Sequence, residues 1–169
     1  MGDAFTRCSV IGDDGVRRLA PFFDEQFASW RLRPDLDYQF SCGDAEAVTK
    51  DGTTVKLEIK TLKTSDDFPA ETWSHRRIQR VGWLLNKESN ANTIYVVHFK
   101  LGIFWEVPFA PLQKFAFSPA FARYREVPVL ANAIQRNDTY LRWIPYTDLQ
   151  AVIPRMVCRP IPPVQLAAQ

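Results

Sequence analysis

Residues 45–63 read as two alternating runs joined at Asp51-Gly52, and this pattern constrains the chain more than any other: it specifies a β-hairpin. In "TTVKLEIKTLK" (residues 53–63), Val55, Leu57 and Ile59 fall on one side, and Lys56, Glu58 and Lys60 on the other. A period of two is that of a strand with one apolar face. "AEAVTK" precedes it across Asp-Gly, a dipeptide suited to tight turns because both residues tolerate positive φ. A two-residue turn at Asp51-Gly52 sets Glu58 opposite Ala45 and Ile59 opposite Asp44. Asp44 then lies within one register step of Glu58, and a slip or bulge of one residue decides which face it takes.

Two carboxylates brought this close repel each other unless a cation lies between them. Hard oxygen ligands suit Mg²⁺, which takes one or two carboxylates and keeps waters and substrate phosphate oxygens in its other positions. Lys60 follows Glu58 by two residues on the same face. There it is placed to orient or deprotonate an attacking water, or to balance charge on a scissile phosphate, as in metal-assisted phosphodiester hydrolysis. The alternative is a solvated strand face that carries no chemistry.

Around the hairpin the pattern mixes helix and strand. Val16, Leu19, Ala20, Phe23, Phe27 and Trp30 recur at helical spacing over residues 13–30, with Asp13 or Asp14 as cap, or with Pro21 opening a shorter helix. "LDYQFS" (residues 36–41) alternates and predicts the first strand; residues 72–87 predict a second helix. "TIYVVHFK" and "IFWEVPF" predict two more strands joined across Leu101-Gly102. Short helices near residues 111–117 and 147–153, an extended segment at 140–144 and a Pro-rich, extended or frayed tail complete the chain. The expected class is α/β (α+β): a mixed central sheet flanked by helices. All 169 residues form one domain, with a core at about 13–108 and an extension at about 109–169.

With a helix, three strands, a helix and a strand in that order, an acid near the start of the second strand and Glu58-Ile59-Lys60 on the third, the chain resembles the PD-(D/E)XK nuclease superfamily, the restriction-endonuclease-like fold. The resemblance spans roughly residues 13–100. It implies an αβββαβ core, metal ligation by Asp44 and Glu58, Lys60 as the catalytic lysine, and Mg²⁺ as cofactor with Mn²⁺ substituting. Many members add a glutamate from the first helix; Glu25 is the best-placed match and Asp24 its competitor. Gly43, not proline, precedes Asp44, whereas a literal Pro-Asp stands at Pro34-Asp35. Asp37 is the alternate acid should the second strand begin earlier.

The formal charge of +2 does not by itself imply a polyanionic partner, so the placement of the cations matters. Drawn as a helix, residues 72–87 set Arg76, Arg80 and Lys87 opposite Ile78, Val81 and Leu85, flanked by Arg77, Gln79 and Trp83. No acid falls between Thr72 and Asn86, and Lys63 adds charge nearby, so the surface offered to phosphates is of one sign. The expected function is that of a Mg²⁺-dependent DNA endonuclease of restriction, homing or junction-resolving type. A homodimer or higher homo-oligomer is expected, since a double-strand cut needs two active sites. A non-catalytic nucleic-acid-binding or protein-interaction module on the same fold is the alternative.

Other chemistry finds little support. Cys8, Cys42 and Cys158 form no C-x-x-C, so free thiols are expected and structural zinc is not. His98 sits in the apolar run "IYVVHF" and reads as a core histidine. The aromatic stretch at residues 102–124 reads as core or dimer contact. No apolar run spans a bilayer and the N-terminus lacks a signal-peptide pattern, so a cytoplasmic protein without membrane or small-molecule cofactor is expected.

Overall fold

A computed structural model describes residues 3–129 and 138–163, with residues 3–13 and Leu36, Asp37 and Phe40 described in backbone alone. The side chains of Cys8, Asp13 and Asp37, and the tail beyond Pro163, lie outside the described residues.

Leu19 and Phe23, one helical turn apart and fully buried, mark the face that helix α1 (Asp3–Gln26) lays against a sheet. Burying two such side chains contributes roughly 1.5–3 kcal/mol each. Pro21 lies inside α1 and does not open it. The helix also ends earlier than the periodicity predicts, because Phe27–Leu32 forms strand β1. The aromatic contacts survive the change of backbone: the Phe23 ring meets Phe27 at 5.8 Å and Trp30 at 5.3 Å between centroids. Trp30 Nε1 donates to Asp24 Oδ1 at 2.8 Å, tying the strand to the end of the helix.

The segment expected as the first strand is instead helix α2 (Leu36–Cys42). Asp35 is its N-cap: the carboxylate accepts the Tyr38 backbone N–H at 3.0 Å, a bond that an extended strand does not need.

Six strands form the larger sheet in the order β1-β2-β3-β6-β7-β10. Here β2 is Ala45–Thr49, β3 Thr54–Leu62, β6 Thr93–His98, β7 Ile103–Pro108 and β10 Val157–Pro160. The β3–β6 pair is parallel and the other pairs antiparallel. A second, antiparallel sheet has the order β5-β4-β9-β8. Its strands are β4 (Phe68–His75), β5 (Arg80–Val81), β8 (Glu126–Pro128) and β9 (Tyr140–Ile144). Helices α3 (Phe109–Ala116) and α4 (Tyr146–Val152) and 3-10 turns at Arg76–Ile78 and Pro119–Arg123 complete the described elements.

A parallel pair requires a crossover, commonly a helix. Here β4, β5 and the turns before β6 serve, so the helix expected at residues 72–87 is absent. Gly82 is the reason visible in the sequence. In a helix it is unfavourable by about 1 kcal/mol, whereas here a Cβ would come within 2.5 Å of the Glu71 carbonyl oxygen.

The two faces of the larger sheet bury different cores. Leu57, Ile59, Tyr95, Val97 and Phe104 pack on α1. Ile94, Val96, Trp105 and Val107 pack against Phe68 and Ala70 of β4 and against α3 and α4. Trp105 and Tyr146 stack with centroids 4.3 Å apart and planes within 8°. His98 is a core residue: Nδ1 donates to the Ser65 carbonyl at 2.8 Å, which leaves Nε2 to accept the Tyr146 hydroxyl at 2.6 Å. Burial holds its pKa below the ordinary value, consistent with a neutral ring. Cys42 and Cys158 are free thiols. Among the described residues, no helix is long and apolar enough to cross a membrane.

Candidate active site

Thr49, Lys50, Asp51, Gly52 and Thr53 decide the register of the central hairpin. Thr49 N–H donates to the Thr53 carbonyl at 2.8 Å and Gly52 N–H to the Thr49 carbonyl at 2.9 Å. Gly52 has φ 88°, so the loop is Lys50-Asp51-Gly52, one residue longer than the expected two-residue turn. The pairing shifts by one accordingly: Ala45 faces Leu57 and Glu46 faces Lys56.

This shift aligns Asp44 with Glu58. Asp44 N–H donates to the Leu57 carbonyl at 2.8 Å, and Asp44 Oδ2 accepts the Ile59 N–H at 2.8 Å. The carboxylate is therefore fastened to β3 at the residue between Glu58 and Lys60. Gly43 permits this approach. Its φ is 102°, and a Cβ there would lie 2.6 Å from the Leu57 carbonyl oxygen. Proline, locked near φ −65°, does not fit, which accounts for glycine ahead of the acid.

Glu58 and Lys60 lie on the face of β3 that turns toward the second sheet. Glu58 is buried, Lys60 is 31% exposed at its side chain, and Lys60 Nζ lies 2.5 Å from Glu58 Oε1. Asp44, Glu58 and Lys60 line one cleft of about 170 Å³, together with Gln39, Glu71, Ser74, Val81, Trp83 and Asn86. At ~30 Å³ per water the space holds roughly six waters, below the ~300–1,000 Å³ usual for small-molecule pockets. It is the scale of a phosphate group with a partly hydrated ion.

Glu71 was not foreseen from the sequence. It sits on β4 at a bulge, where pairing with β9 shifts between Glu71 and Trp73. The Trp83 backbone N–H donates to its carboxylate, and Gly82 presses against it. A lone acid within the apolar, aromatic run "FPAETW" is the signal that points to it.

Burial, aided by the negative charges of Asp44 and Glu71, pushes Glu58 up to about 7 against the opposing pull of Lys60. Burial also raises Glu71, again opposed by Lys60. For Lys60, burial works to lower the pKa, but the carboxylates of Glu58, Asp44 and Glu71 outweigh it and raise it above the ordinary value. Lys60 is thus a fixed cation in this arrangement, also 5.8 Å from the centroid of the Trp83 ring.

The other sequence-derived residues lie elsewhere. Glu25 is exposed at the end of α1 and does not line the cleft; Asp24 is engaged by Trp30. Asp35 of the literal Pro-Asp caps α2 instead. Lys63 and Lys87 are exposed, with Lys87 Nζ over the Phe117 ring at 5.7 Å. Arg76, Arg77, Gln79 and Arg80 form no helical stripe; they gather on the connection between β4 and β5.

No known family model matches the chain, and no curated protein matches it significantly.

Among the described residues, no three His, Cys, Asp or Glu side chains group closely enough to hold a metal by themselves. Mg²⁺ needs only one or two carboxylates when water and phosphate complete its shell, and Asp44 and Glu58 supply two in one cleft. The residues present fit that ion.

Proposed function

We propose that this protein is a Mg²⁺-dependent DNA endonuclease of the PD-(D/E)XK type. The observation that carries the reading is the convergence of Asp44, Glu58 and Lys60 in one cleft, with Asp44 bonded to the backbone of the residue between the other two. The strand order supports it: α1 precedes three antiparallel strands, and the third pairs in parallel with the strand after the crossover. That order resembles the nuclease core, with strands in place of the second helix.

Asp44 and Glu58 would hold the ion, which when bound supplies charge stabilisation at the scissile phosphate and a more acidic water. Lys60, held protonated by its acidic neighbours, orients the attacking water and neutralises charge building on a phosphate oxygen. With Glu58 engaged by the ion, the Lys60 ammonium, now paired to Glu58, would be available to the phosphate. Glu71 adds negative charge near Lys60 from the β4 wall of the cleft. Two copies would serve a double-strand cut, so we propose a homodimer or higher homo-oligomer acting on DNA, with Mn²⁺ able to replace Mg²⁺.

The test is cleavage of plasmid, linear and branched DNA with Mg²⁺ or Mn²⁺, comparing the native chain with Glu58→Ala and Lys60→Ala. Metal-dependent cutting lost in both variants is expected. Cutting untouched by either substitution would remove the site from the mechanism.

A second reading is favoured by the Glu58–Lys60 contact itself, in which the ammonium neutralises the carboxylate. A non-catalytic nucleic-acid-binding module on this fold would bind DNA without divalent ions, and that binding would survive Lys60→Ala.

A further inference from the structure

The connection between β4 and β5 places an isolated apolar side chain at the summit of a basic projection. Arg76–Ile78 forms a single 3-10 turn, and Gln79 follows at φ 56° and ψ 30°. Gln79 is the only non-glycine residue with positive φ among the described residues, and its N–H closes the turn on the Arg76 carbonyl at 2.9 Å. The tip therefore has a defined shape, held at some cost in backbone conformation. Ile78 is 66% exposed, the highest value among the exposed large hydrophobics, and Val81 beside it is 41% exposed. Arg77 and Arg80 flank Ile78, and both are exposed.

The base of this projection is braced. Arg76 pairs with Glu126 at 3.0 Å and covers the Tyr140 ring at 4.5 Å. Ser74 Oγ donates toward the Val81 carbonyl at 3.2 Å. Ser74 and Val81 also line the cleft that holds Glu58 and Lys60, so the projection rises from the cleft's own wall.

We infer that this hairpin tip enters a groove of duplex DNA beside the cleft, with Ile78 wedged against a base step and Arg77 and Arg80 on the flanking phosphates. The inference rests on the DNA reading above and names what the substrate must do, which is to kink. An apolar wedge flanked by cations is the equipment of proteins that unstack a step and bend the duplex by ~20–90°. Charge favours this partner: Glu126 is engaged by Arg76 at the base, while Arg77 and Arg80 beside Ile78 are exposed, and cations so placed gain by releasing counterions from phosphates. Distance places the kink. Ile78 follows the cleft residue Ser74 by four positions. Four residues of extended chain reach at most about 13 Å, or roughly four base pairs at ~3.4 Å of helix axis each. The deformed step thus lies within about four base pairs of the phosphate in the cleft.

The experiment uses the full chain in EDTA, where binding is read without cleavage, and an end-labelled duplex of about 20 base pairs read by energy transfer and anisotropy. The native chain is expected to bind and to raise transfer between the duplex ends. Ile78→Ala is expected to keep its affinity within about threefold and lose most of the transfer change, and Ile78→Leu to restore it. Arg77→Ala is expected to weaken binding and reduce the slope of log affinity against log salt by about one. Absence of binding, binding with no change in transfer, or equal bending by Ile78→Ala overturns the inference. So does an Ile78→Asp variant that bends DNA normally but dissociates a dimer in sedimentation, since the tip then faces a second copy. Cleavage is not read here, so a wedge that bends DNA in a chain that never cuts it separates this inference from the nuclease reading.

Discussion

Asp44 Oδ2 accepts the backbone N–H of Ile59 at 2.8 Å, which fastens one carboxylate to the strand whose Glu58 and Lys60 line the same cleft. The hydrogen bond and the charge of Asp44 are separable. Asp44→Asn keeps an acceptor for Ile59 and is expected to fold with near-native stability, while cleavage falls at least a hundredfold. Asp44→Ala loses the acceptor as well, and a charge-assisted bond of this kind contributes about 1.5–3 kcal/mol. Urea denaturation of both variants beside a cleavage assay checks the pair. Equal stability of the two would show that the bond does not hold the hairpin register.

Glu58 titrates near 7 in the fold against 4.5 ordinarily. Between those values the folded chain retains a proton that the unfolded chain has released, so stability falls as pH rises from 4.5 to about 7 and then levels off. Glu58→Gln is expected to remove this slope. The difference between native and variant, compared at pH 5 and pH 8, is on the order of 2–3 kcal/mol by linkage. Metal-free urea midpoints at the two pH values measure it, and parallel curves for both chains would assign the slope elsewhere.

Glu71 raises Glu58 through its negative charge. Glu71→Gln keeps an oxygen for the Trp83 N–H and is expected to move the Glu58 titration to lower pH. Carboxyl-carbon NMR of the two chains reads the shift directly. An unmoved Glu58 resonance would place Glu71 outside its electrostatic reach.

Gly43 and Gly52 both have positive φ, but only Gly43 has backbone against the position a Cβ would take. Gly52→Ala is expected to cost about 1–2 kcal/mol from backbone conformation alone. Gly43→Ala is expected to cost more, and also to disturb cleavage because Asp44 moves with it. Thermal melts of the two variants should rank them in that order.

Tyr146→Phe removes the hydroxyl that His98 Nε2 accepts. Leaving a buried acceptor without a partner costs about 1–3 kcal/mol, and chemical denaturation should show that loss with the Trp105 stack intact.

Strong local patterns carried much of the fold. The alternating hairpin, the turn at Leu101-Gly102, the extended segment at Tyr140–Ile144 and the helices α3 and α4 stand close to where the sequence puts them. Asp44, Glu58 and Lys60 were legible together because a turn fixes a register, and the error of one residue came from a loop one residue longer. Elsewhere tertiary contacts overrode the pattern. Phe23, Phe27 and Trp30 meet whether the chain continues as helix or folds back as β1, so periodicity cannot tell the two apart. Seven residues of α2 are too few for a period to decide, and the cap at Asp35 was the better signal. The basic stripe drawn on a helix dissolved because Gly82 and the β4–β5 pairing take that segment into a sheet. Its arginines remain adjacent, on a tip and not along a stripe.

The crossover made of strands also bears on how the protein comes to be assembled. Asp44, Glu58 and Lys60 belong to one hairpin closed by Lys50-Asp51-Gly52, and contacts of such short range form on a timescale of ~1–10 μs. Glu71 and Trp83 reach the cleft through the crossover that ends where β6 enters parallel register with β3. Non-local pairing of that kind must first overcome loop-closure entropy. The half of the cleft that bears the E-x-K strand is thus a low-contact-order unit, and its outer wall a high-contact-order one. Lengthening the loop between β5 and β6 should slow folding while leaving the Asp44–Ile59 bond among the first to gain protection from hydrogen exchange.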